Sequence, residues 1–149
     1  MSKWTAKLTV TNTTDQDLKL VYKYVNARNA IVSFPTNIPA KSKAAYEVIT
    51  PHGEAAGPEF KISLVAQGTD TQRSLGSFDF HVDIPYWSPK NTLNYHCNRD
   101  LLCQVIPGMI YDRDQNYNGE VIISALEITD MVNKKVLNEK VQANSFNEF

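Results

Sequence analysis

A chain of 149 residues, 42% hydrophobic and 21% charged, has the size and balance of one globular domain with one core. A domain of this length buries about 68–70% of its unfolded surface, so folding requires neither a metal nor a disulfide framework, and two cysteines would not supply the latter. Fifteen Lys and Arg against sixteen Asp and Glu leave a net charge of −1, with an isoelectric point near 6.3, so no global field gathers phosphate backbones and nucleic acid is not an expected partner.

The opening segment from Met1 to Leu8 lacks the apolar stretch of roughly 7–15 residues that marks a secretory signal, so synthesis in the cytoplasm without such a signal is expected. Apolar runs such as Val121-Ile122-Ile123 fall far short of the roughly 20 residues a bilayer span needs. Trp4, Ala6, Leu8 and Val10 share one parity and Lys3, Thr5, Lys7 and Thr9 the other, a period of two that predicts a strand with one wet face. The polar cluster from Asn12 to Asp17 predicts a turn. Asn12-Thr13-Thr14 also satisfies the glycosylation triplet, but without a signal the polar turn is the preferred reading. Leu18, Leu20, Tyr22 and Tyr24 then alternate with Lys19, Val21 and Lys23, a second strand expected to hairpin with the first.

Further β-rich runs fall at 30–34, 44–49, 60–65, 75–82, 92–96, 102–106 and 120–126, separated by Pro35, Pro39, Pro51, Gly57-Pro58, Gly68, Pro85, Pro89 and Pro107-Gly108. Many short strands with no amphipathic helix between them predict an all-β fold, an antiparallel β-sandwich, because parallel pairing would call for crossover connections. The sandwich domain is expected over 1–128. In 129–149, Val132, Val136 and Val141 lie near helical spacing after a cap at Thr129 or Asp130, which predicts a C-terminal extension with a short helix or a frayed, partly disordered end.

The chemistry-bearing residues are sparse. No nucleophile elbow, tuned acid pair or phosphate loop is present, so neither enzymatic activity nor a cofactor is expected. His81 falls on the polar parity of its strand and is expected to face solvent. His96, Cys97 and Cys103 offer three metal ligands at a spacing that matches no common zinc signature. In a reducing compartment the two thiols stay unpaired. Asp114, Asn116 and Asn118 before Gly119, with Asp112 upstream, match the first half of a calcium loop. The twelfth position is Ala125 where a bidentate Glu is required. A hairpin turning at Asn118-Gly119 is therefore the preferred reading.

The most unusual stretch runs from Phe78 to Tyr95, where Ile84-Pro85-Tyr86-Trp87 leads into Ser88-Pro89-Lys90-Asn91. Prolines at 85 and 89 preclude a regular central strand and predict a surface loop. Tyr86 and Trp87 beside Lys90 suit a membrane interface or a sugar face; the alternative is that both rings fold inward and cap the sandwich.

At this loop the sequence resembles the aegerolysins, small acidic β-sandwich proteins made without a signal peptide. The family carries a stretch close to D-C-P-W-G-S-K-T-N-T-W, and residues 83–93 lie on it without a gap, with Asp83, Pro85, Ser88, Asn91 and Thr92 identical. Val10 to Leu20 is similar to the family's first hairpin, and Ile38-Pro39 followed by Gly53 to Leu64 is similar to its proline strand entry and mid-chain loop. The likeness covers roughly 4–126. Ile84 replaces the family's cysteine, Tyr86 a tryptophan and Trp87 a glycine.

The resemblance implies peripheral binding to a membrane lipid, typically in a sphingolipid-containing bilayer, with Asp83, Tyr86, Trp87, Ser88, Lys90 and Asn91 facing the headgroup. In some members it also implies pore formation with a larger perforin-like protein partner, as in two-part insecticidal toxins that act at a target-cell membrane. The alternative from the residues alone is a soluble lectin or protein-interaction sandwich using the same loops.

Overall fold

The computed structural model describes residues 3–126; the expected extension at 129–149 lies outside the described residues. The strands are β1 (Thr5–Asn12), β2 (Leu18–Val25), β3 (Ala30–Ser33), β4 (Asn37–Ile38), β5 (Lys43–Ile49), β6 (Glu59–Ala66), β7 (Ser77–Asp83), β8 (Thr92–Cys97), β9 (Leu101–Ile106) and β10 (Tyr117–Ala125). They form two five-stranded sheets, sheet A in the order β3-β5-β1-β10-β9 and sheet B in the order β4-β2-β6-β7-β8. The fold is the expected β-sandwich.

Alternation sets which face each strand buries. Ala6, Leu8 and Val10 of β1 meet Phe60, Ile62 and Leu64 of β6 and Phe78, Phe80 and Val82 of β7 in a single core. Phe60 and Phe80 pack with ring centroids 5.6 Å apart, and Phe80 and Tyr117 at 6.0 Å join the two sheets.

Four sequence expectations need correction. First, β1 and β2 do not form a hairpin, because the turn after Asn12 carries the chain from sheet A to sheet B. Second, sheet A is mixed, since β1 pairs β10 in parallel. The two strands lie far apart in the sequence, so the rest of the sandwich serves as the crossover that parallel pairing requires.

Third, a bulge between Leu20 and Tyr22 shifts the register of β2 against β6. An extra residue reverses the parity beyond it, so Tyr22 and Tyr24 face solvent although Leu18 is buried. Fourth, Asn118-Gly119 is no turn: both residues lie inside β10, opposite Lys7 and Leu8. The glycine is required for another reason, because a Cβ there would collide with the ring and hydroxyl of Tyr117. Tyr117 lies over the Gly119 backbone and donates its hydroxyl to Pro107 O at 2.9 Å.

Candidate functional site

Two loops meet at the end of the sandwich where β1 begins. One, 84–91, joins β7 to β8; the other, 107–116, joins β9 to β10. The Asn91 side chain ties them, donating to Tyr111 O at 2.9 Å and Asp114 O at 2.8 Å. Arg113 N donates to Pro89 O at 2.8 Å. Arg113 adopts φ 71°, a left-handed backbone that costs a residue with a Cβ.

The base of the platform is anchored to the core. Ile84 is fully buried and its amide donates to Pro58 O at 3.0 Å. Gly57 lies so close to this turn that a Cβ would collide with Ile84 O, so only glycine fits. On the other side Asn116 Oδ1 accepts from Thr5 N at 2.9 Å, fastening the second loop to the start of β1.

The two rings of the Tyr86-Trp87 pair part company. Tyr86 is half-buried and packs on Trp4 with centroids 5.3 Å apart. Trp87 meets Tyr86 edge-on at 4.9 Å yet remains 81% exposed. The neighbouring loop adds Tyr111 at 69% and Met109 at 62% exposure. Those two residues, missed in the sequence, give the 107–116 loop exposed apolar side chains of its own; they follow Pro107-Gly108, a turn signal that marks a projecting loop. Trp87 borders a groove of about 270 Å³ lined also by Trp4, Tyr86, Asn91, Arg113 and Asp114, among others.

Of the residues expected to face a headgroup, Tyr86, Trp87, Ser88 and Asn91 thus line one groove. Lys90 is exposed on the same loop, its amide donating to Ser88 Oγ at 3.3 Å. Asp83 stands apart on β7, beside Glu59 and His81. Burial raises its carboxyl pKa above the ordinary range, and the Glu59 charge adds to the rise.

The calcium candidates each have separate duties. Asp112 Oδ1 accepts from Asn91 N at 3.4 Å and Asp114 Oδ2 from Tyr111 N at 3.2 Å. Asn116 holds Thr5 and Asn118 sits in the β1–β10 ladder. His96, Cys97 and Cys103 form no three-ligand cluster among the described residues. Burial and a hydrogen bond with Cys97 push the Cys103 thiol up to about 12, and both cysteines are free.

No protein-family model matches the chain, and no curated protein matches it. Solved structures do. The RahU protein, crystallised with a TRIS molecule, is 12% identical over 83% of this chain and 96% of its own, with a TM-score of 0.59. The lipid binding protein Nakanori is 10% identical over 83% of this chain and 72% of its own, with a TM-score of 0.57. IP-1A from Alcaligenes faecalis is 12% identical over 84% of this chain and 93% of its own, with a TM-score of 0.60. The shared feature is the fold of the sandwich.

Proposed function

We propose that the chain is an aegerolysin-like peripheral lipid-binding protein that meets a membrane with the platform formed by loops 84–91 and 107–116. The observation that carries this reading is the exposure of Trp87, Met109 and Tyr111, each more than half open to water, on two loops tied together by Asn91. Monomeric proteins rarely leave such a group open to water without use. Moving a large apolar side chain out of water is worth about 1.5–3 kcal/mol, so these three residues together supply peripheral affinity without a spanning segment. The indole and phenol suit the headgroup layer, where an apolar ring carries a polar edge. Arg113 in the groove and exposed Lys90 on the same loop as Trp87 offer positive charge to a phosphate, while Asn91 and Asp114 in the groove suit hydroxyl or amide groups.

The fold shared with a protein described as lipid-binding supports the same reading. A sphingolipid headgroup is the preferred ligand, the action is binding without covalent chemistry, and a larger perforin-like partner would supply any pore. Co-sedimentation with vesicles of phosphatidylcholine, with and without sphingomyelin and sterol, tests it. The wild type is expected to bind sphingomyelin vesicles in a salt-tolerant way and Trp87→Ala to lose most of that binding. Failure to bind any mixture overturns lipid recognition and favours a soluble lectin or protein-binding sandwich, to be sought on a glycan array.

A further inference from the structure

On the outer face of sheet B, outside the loop platform, three side chains with metal-ligating atoms converge from two adjacent strands. Glu59 opens β6 directly opposite Asp83 at the end of β7. His81 lies two residues before Asp83 and therefore shares its face. One imidazole nitrogen and two carboxylate oxygens all lie within 4.8 Å of one another, on side chains that are half-buried. His81 Nε2 is 2.9 Å from Glu59 Oε2.

This arrangement has features an ordinary surface ion pair lacks. Two carboxylates face each other across a ladder, a like-charge placement that is destabilising, and His81 and Lys61 are the positive groups that offset it at Asp83. The backbone that carries them is fixed by the β6–β7 ladder, and Asn29 anchors the start of β6 by accepting from Glu59 N at 2.9 Å. Zinc holds nitrogen and oxygen ligands about 2.0–2.2 Å away, which places tetrahedral donors about 3.3–3.6 Å apart. The three donors lie within 4.8 Å of one another, so the widest gap must narrow by no more than about 1.5 Å to reach that spacing. The mixture of imidazole and carboxylates suits a borderline divalent ion better than a hard one, which prefers an all-oxygen shell.

We propose that Glu59, His81 and Asp83 form a site for a divalent cation of the zinc class, with three protein ligands and at least one position left for water or an anionic oxygen. A groove of about 300 Å³ beside His81, lined also by Lys61, Asn94 and His96, gives an exchangeable ligand access. The site is independent of the lipid-binding reading, since it uses no residue of loops 84–91 or 107–116.

The test is titration of the chelator-stripped full chain with zinc alone, by calorimetry, with metal content measured after desalting. A single saturable ion per chain is expected. Affinity should fall by about tenfold or more in His81→Ala and in Asp83→Asn. Absence of saturable uptake by the wild type, or undiminished uptake by both ligand variants, overturns the proposal. Because a variant that fails to fold would mimic lost binding, cobalt is also titrated into the wild type. A saturable visible band that zinc abolishes supports the site, and its absence overturns it.

Discussion

The two ends of the sandwich solve opposite problems. Where β1 ends, the turn at 12–17 puts polar residues inside: Asn12 is 1% exposed, and Thr14 and Gln16 are also buried. Asn12 Nδ2 donates to Gln16 O at 2.9 Å, Ile38 O at 3.2 Å and Pro39 O at 3.1 Å, while its Oδ1 accepts from Thr14 N at 3.0 Å. Gln16 spans to the 67–76 connection, donating to Arg73 O at 2.9 Å and accepting from Leu75 N at 3.0 Å. Where β1 begins, apolar Trp87, Met109 and Tyr111 lie outside. A buried polar group must be paired, so the first end is a clasp; exposed apolar side chains gain by leaving water, so the second end invites a partner. The clasp also disposes of the glycosylation triplet, because the Asn12 amide is buried and committed.

That contrast predicts that stability and binding separate between the ends. Asn12→Ala strands several buried partners and should cost about 3 kcal/mol or more, read as a lower denaturation midpoint in urea. Trp87→Ala, by contrast, should leave that midpoint within about 0.5 kcal/mol of wild type while vesicle binding falls. A large midpoint loss in Trp87→Ala would erase the distinction. Gly57→Ala forces the mid-chain loop away from Ile84 O and should cost about 1–3 kcal/mol. It should weaken vesicle binding as well, because it moves the base of the platform.

Smaller effects sharpen the picture. Arg113→Gly removes the cost of a left-handed residue and should raise stability by about 1 kcal/mol in the same urea assay. Burial, helped by the charge of Tyr95, pushes the Tyr117 hydroxyl up to about 12. With the folded pKa above the ordinary value of about 10, the neutral phenol favours the native state below pH 10, and this contribution is lost as pH rises from 10 toward 12. Absorbance titration near 295 nm should place this onset. Tyr117→Phe should shrink the alkaline loss at a cost of about 1 kcal/mol at neutral pH.

Much of the fold was legible because alternation is a local property. Ala6, Leu8 and Val10 share a face whatever they pack against, and Pro85 with Pro89 break a strand wherever it lies. The loop of Tyr86, Trp87, Ser88 and Asn91 was readable for the same reason. Met109 and Tyr111 were not, since nothing near them in sequence says which end of a sandwich their loop occupies. His81 was read as solvent-facing on correct parity, yet its neighbour Glu59 is 22 residues away along the chain.

Sequence alone therefore determined most of the strands, though neither β4 nor the start of β10, and the all-β class, because steric preference and hydrophobic period act over a few residues. Tertiary structure alone decided the parallel pairing of β1 with β10, the bulge that turned Tyr22 outward, the role of Gly119 under the Tyr117 ring, and the separation of Asp83 from Trp87. Each depends on which strands become neighbours, and that is a property of long-range packing.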